Sequence, residues 1–117
     1  MTFAATIGSF PAGDPDAMRR DAALLHADAT HLRTYASGLS STTEGMPFRA
    51  PVAERVRGHM HAESAKLRHC AEQLDGLGTY LSTRAGSLEA EQTRWRTQAN
   101  ALAERQREEA AERRSQL

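Results

Sequence analysis

The chain has little that would staple, anchor or flatten it. A lone cysteine, Cys70, leaves no internal disulfide, and its place inside an apolar helical pattern reads as a small buried hydrophobe. Aromatic residues make up 5% of the sequence, and valine and isoleucine are scarce, which argues against a sheet built on cross-strand packing. No apolar run approaches the roughly 20 residues that span a bilayer, so no stable membrane insertion is expected. The opening MTFAATIGSFPAG has neither a basic n-region nor a long apolar h-region, so no cleavable signal peptide is expected. An excess of one charge is also missing: Lys plus Arg number 15 and Asp plus Glu 15. Without a net basic field, no nucleic-acid partner is expected.

What remains is rich in Ala, Arg, Glu, Leu and Gln, the composition of long helices. Met18, Ala22, Leu25, Ala29, Leu32, Ala36 and Leu39 recur at steps of four and three, laying one apolar seam along a helix from about residue 15 to 43. Gly13 closes the preceding loop, Asp14 is placed to cap, Pro15 suits the first helical position, and Asp16 lies at the positive end of the dipole. Downstream, Met60, Leu67, Leu74, Leu81, Leu88, Trp95 and Leu102 are spaced by seven, and no proline follows Pro51. One helix to about residue 112 is the expectation. A column of small residues, Ser64, Ala71, Gly78, Ala85 and Ala99, accompanies the large ones. Gly76, Gly78 and Gly86 weaken this helix by roughly 1 kcal/mol each relative to alanine, which makes a bend there an expectation too.

Between the two patterns lies EGMPFRAPVAERV, residues 44–56. Gly45 ends the first helix, Pro47 prevents its continuation, and Pro51 starts the second. A short link between two amphipathic helices implies an antiparallel hairpin. The first helix covers only about 42 Å against about 90 Å for the second, so part of the second seam lacks an internal partner unless residues 1–13 fold across it. An uncovered apolar seam calls for another chain, because two helices enclose little core. A coiled-coil adaptor or dimerisation module would satisfy that pattern. The corner is proline-rich, the helices are long and no basic recognition face exists, against a DNA-reading helix-turn-helix.

Metal and catalytic chemistry find no support. His59 and His61 are two apart and point to nearly opposite helix faces, while His69 and Cys70 add no pair four residues apart. His26 and His31, five apart, are no better placed. No nucleophile elbow, phosphate-cradling loop or paired-carboxylate setting accompanies the Ser and Thr residues. No enzyme activity, cofactor or metal is expected.

The corner text FRAPVAERV resembles the Trp-x-Gly-x-Ala-Ala-x-x-Phe turn of the WXG family, the ESAT-six-like helical hairpins of type VII secretion. Phe48 takes the place of the tryptophan, Ala50 that of the glycine, Val52 and Ala53 those of the paired alanines, and Val56 that of the phenylalanine. The resemblance runs over about residues 13 to 90. It implies an all-α hairpin, residues 14–95, that dimerises into a four-helix bundle; a flexible segment 1–13 is expected before it, and a charged helical extension 96–117 runs on past the compact family pattern. Its implied partner is a protein: a second hairpin as homodimer or heterodimer, a secreted effector, or the secretion ATPase. Location would be outside the cell without a cleavable signal, or cytoplasmic before export. Tyr80 is followed four residues later by Arg84 rather than by the acidic residue of the family's export signal, so a partner would supply that signal. The expected partner-binding residues are Leu25, Leu32, Leu39, Phe48, Ala50, Leu67, Leu74, Leu81, Leu88 and Trp95, with Tyr80 beside them as a further anchor.

Overall fold

The computed structural model describes residues 7–45 and 51–117. It contains two long helices, α1 over Pro15–Glu44 and α2 over Pro51–Ser115, and no strand among the described residues. Both helices begin on proline, whose fixed φ suits the first turn and whose missing N–H would have had no partner there. Asp16 and Glu54 follow in the first turns, and Arg113 and Arg114 lie in the last turn of α2, each matching the sign of the helix dipole. Gly45 extends the end of α1 by donating its N–H to the Ser41 carbonyl, 3.1 Å. The helical pattern of α2 runs uninterrupted through Gly76, Gly78 and Gly86. Phe48 and Ala50, expected at the turn, lie outside the described residues.

The chain divides into two compact units, Asp16–Thr83 and Met1–Pro15 with Arg84–Leu117. The first is an antiparallel hairpin. Ser64 of α2 donates its hydroxyl to the Ala36 carbonyl of α1 at 2.9 Å, while Asp75, further along α2, meets His26, further back along α1. Stepping by seven in opposite directions from the Ser64–Ala36 contact puts Ala71 level with Ala29 and Gly78 level with Ala22. These are the buried residues: Ala22, Ala29, Ala36 and Ala71 are at most 1% exposed, and Gly78 is buried with them. Among the described residues, Thr43 and Ser64 are the largest side chains shut away completely.

The core of the hairpin is thus a seam of small residues, and the leucines flank it. Small side chains let the helix axes approach closely, and that approach leaves no room for a larger residue. The buried Thr43 hydroxyl is satisfied locally, whereas that of Ser64 bonds across the hairpin. Thr43 donates to the Leu39 carbonyl at 2.8 Å, the same four-residue back-bond that Thr30, Thr34 and Thr42 make on the surface of α1.

Cys70 departs from expectation. It is exposed, because it stands one residue, about 100° of helical rotation, before Ala71, which takes the seam position.

The second unit pairs the chain segment before α1 with the last part of α2. Ala85 and Gln92, seven apart, are buried there, continuing the spacing of the small column of α2. Gln92 holds a place between Ala85 and Ala99 that its polarity hid from an apolar reading.

The close approach is open to test. Ala29→Leu forces a branched side chain into a filled seam and should lower the unfolding free energy by about 1–3 kcal/mol, read as a drop in urea midpoint. Ala23→Leu, at an exposed position of the same helix, should stay within about 0.5 kcal/mol.

Candidate partner-binding site

Ala22, Ala29 and Ala36 on α1 and Ser64, Ala71 and Gly78 on α2 are each followed three positions later by a leucine: Leu25, Leu32 and Leu39, and Leu67, Leu74 and Leu81. Because the helices run in opposite directions, the same three-residue offset swings to the same side of the pair on both. The six leucines therefore share one face, and all six are half-buried. Beyond them Leu77 is 56% exposed, Tyr80 64%, Leu24 63% and Tyr35 66%. Tyr35 lines a shallow hollow with Thr34, Gly38, Leu39 and Thr42. Val52 and Val56, at positions that match the corner motif, are exposed and line a second hollow with Arg55 and His59.

The other side of the hairpin is polar, four residues after each seam position. His26 donates Nδ1–H to Asp75 Oδ1 at 2.7 Å, since an ionised carboxylate only accepts. Arg33 pairs with the second oxygen of the same carboxylate. Next along, the hydroxyls fall into one order: Arg68 reaches Ser40 at 3.5 Å, Ser40 and Ser64 lie 2.9 Å apart, and Ser64 gives its hydrogen to the Ala36 carbonyl. With that hydrogen spent, Ser64 accepts from Ser40. Two directional clusters thus fix the register of the helices on the side that the leucines leave.

Gly78 makes the first cluster fit. A Cβ at that position would lie 2.8 Å from His26 Nε2, so the imidazole lies against the bare backbone of α2 and reaches Asp75 from there. Sequence reading took Gly78 for one of the weak points of the helix; the contact gives it a packing role. In the sequence His26 has no placement that points to a metal site, and no pattern links it to Asp75, 49 residues on.

In the second unit, Leu88 and Trp95 are both half-buried. Trp95 Nε1–H donates to the Gly8 carbonyl at 3.0 Å, and its ring meets Phe10 edge-on, centroids 5.3 Å apart and planes at 87°. Gln92 Nε2 donates to the carbonyls of Pro11, 3.0 Å, and Gly13, 3.1 Å. Residues 8–13, which the sequence sets apart as a flexible segment, thus lie along the α2 stripe that holds Leu88 and Trp95.

Among the described residues, no three His, Cys, Asp or Glu side chains gather closely enough to hold a metal ion. No described helix is long and apolar enough to cross a membrane.

Two outcomes test the polar side. Gly76→Ala, into open space, should raise stability by about 0.5–1 kcal/mol, the usual gain from alanine within a helix. Gly78→Ala should lose that gain and lower the thermal midpoint, because the new methyl displaces His26. The hydrogen bonds from His26 and Arg33 hold the Asp75 carboxyl below its ordinary pKa of 3.8. A depressed folded-state pKa gives stabilisation that is present above the ordinary value and lost as pH falls through the folded one. Asp75→Asn should therefore melt below the wild type at pH 7, and the gap should narrow as the pH drops under 3.8.

No family model, curated protein or solved structure matches the chain.

Proposed function

We propose that the chain is a non-enzymatic, WXG-like component of type VII secretion, a helical hairpin that works by docking its leucine face on a second hairpin as secreted protein, effector partner or targeting chaperone. The observation that carries this reading is the division of the hairpin into a buried seam of alanine, serine, threonine and glycine and a face of six half-buried leucines. A buried leucine contributes about 1.5–3 kcal/mol and a buried methyl only about 0.8 kcal/mol. The small seam thus contributes little, and the leucine face holds most of the apolar gain still to be made. A second hairpin offering the same face would complete a four-helix bundle. The balance of 15 basic and 15 acidic residues suits association through apolar surface rather than attraction to a polyanion. The corner text FRAPVAERV and the hairpin connectivity are the features that favour the WXG reading over an unrelated coiled-coil module. Secretion as client or as chaperone would use the same face, with the partner supplying the export signal that Arg84 interrupts.

Light scattering of the purified chain, alone and mixed with a hairpin protein encoded beside it, should give a dimer of one kind or the other. Leu32→Ala and Leu67→Ala should each weaken that association by about 10- to 100-fold, the equivalent of about 1.5–3 kcal/mol of lost burial, while helicity by circular dichroism persists. A folded monomer at high micromolar concentration with no affinity for the neighbouring hairpin would overturn the proposal.

A further inference from the structure

We infer that the Leu88–Arg96 stretch of α2 is a docking site for an extended peptide segment of another protein, and that residues 8–13 of this chain occupy it as a built-in ligand. The inference is independent of the leucine face of the hairpin. The site reads its occupant in two ways. Gln92 and Trp95 together donate to three backbone carbonyls, those of Gly8, Pro11 and Gly13, contacts that any extended chain offers. Side-chain selectivity comes from two positions. The Phe10 ring is gripped between the Trp95 ring and the Arg96 guanidinium, which lies 5.0 Å from its centroid.

Gly13 is the second selective position. Its φ is 130°, a conformation that side-chain-bearing residues rarely adopt, and a Cβ there would lie 2.6 Å from Leu88 Cδ2 and push that methyl aside, so the site favours glycine at that point. Gly8, at φ 75°, bends the strap at its other end. Proline after the aromatic costs the site nothing, because its carbonyl is used and it has no N–H to satisfy. The chemistry recognised is Gly-x-Phe-Pro-x-Gly in extended form.

The hold is of a displaceable kind. It consists of neutral hydrogen bonds and ring contacts, and Phe10 remains 38% exposed while gripped. The strap joins α1 directly at Pro15, so its advantage is its tether, which raises its effective concentration to the order of millimolar. A partner segment of the same chemistry, itself brought close by an assembled complex, competes on equal terms. Its binding would release the strap.

Trp95 is the single tryptophan of the chain, which makes it a clean reporter. In the full-length chain, Phe10→Ala should loosen the strap and red-shift Trp95 emission while leaving helicity intact. A fluorescein-labelled peptide of residues 7–14, IGSFPAGD, should then bind the Phe10→Ala chain at least ten-fold more tightly than the wild type by anisotropy. The same peptide with alanine for phenylalanine should fail to bind. Adding Gln92→Ala, or Trp95→Phe, which keeps an aromatic ring but removes the N–H donor, should weaken the labelled peptide about ten-fold. Three results would overturn the inference: Trp95 emission unchanged by Phe10→Ala; a released strap with no peptide binding at millimolar concentration; or self-association of the Phe10→Ala chain through this stretch that the peptide does not compete away.

Discussion

The hairpin depends on close approach of two helices across side chains no larger than threonine. Once Ala22, Ala29 and Ala36 face Gly78, Ala71 and Ser64, the leucines three residues further on cannot enter the interface, because the space between the axes is already filled. They are pushed to one flank and only half covered there. An interface built on leucines would have buried them and left a polar exterior all round. This one places a polar flank and an apolar flank on opposite sides of the same pair of helices, and the apolar flank is what gives the hairpin something to bind with.

A seam of small, similar residues discriminates poorly between registers, since sliding by one heptad would set alanine against alanine again. The polar flank supplies the discrimination. Asp75 has a geometric claim on both His26 and Arg33, and the Arg68–Ser40–Ser64–Ala36 sequence of hydrogen bonds closes at one alignment. Exposed ion pairs contribute little to stability, and Asp75 keeps 32% of its side-chain surface exposed, so the weight of these contacts lies in alignment rather than in free energy.

The unit formed by residues 1–15 and 84–117 solves the same covering problem by different means. There the surface of α2 meets an extended strap instead of a helix, and its seam position turns from alanine to Gln92, whose amide satisfies two carbonyls that a helix would have satisfied internally. Phe10 and Trp95 meet where the strap is, because a thin extended chain needs large rings to cover what a helix covers with its bulk.

Helix type, helix limits and the pairing of two helices as a hairpin were legible in the sequence, since they follow from local rules: proline at the first turn, glycine at the stop, and a seven-residue repeat sustained from Met60 to Leu102. The small column at Ser64, Ala71, Gly78 and Ala85 was legible for the same reason. Which column would be buried was not, because repeats of leucine and of alanine are equally regular and only the packed pair decides which one faces inward. Cys70 fell on the exposed side of that decision by a single residue. The grip of Gln92 and Trp95 on residues 8–13, and of Asp75 on His26 and Arg33, came only with the tertiary structure. Those contacts join positions far apart along the chain, and hydrogen-bond geometry between distant groups leaves no periodic trace in a sequence.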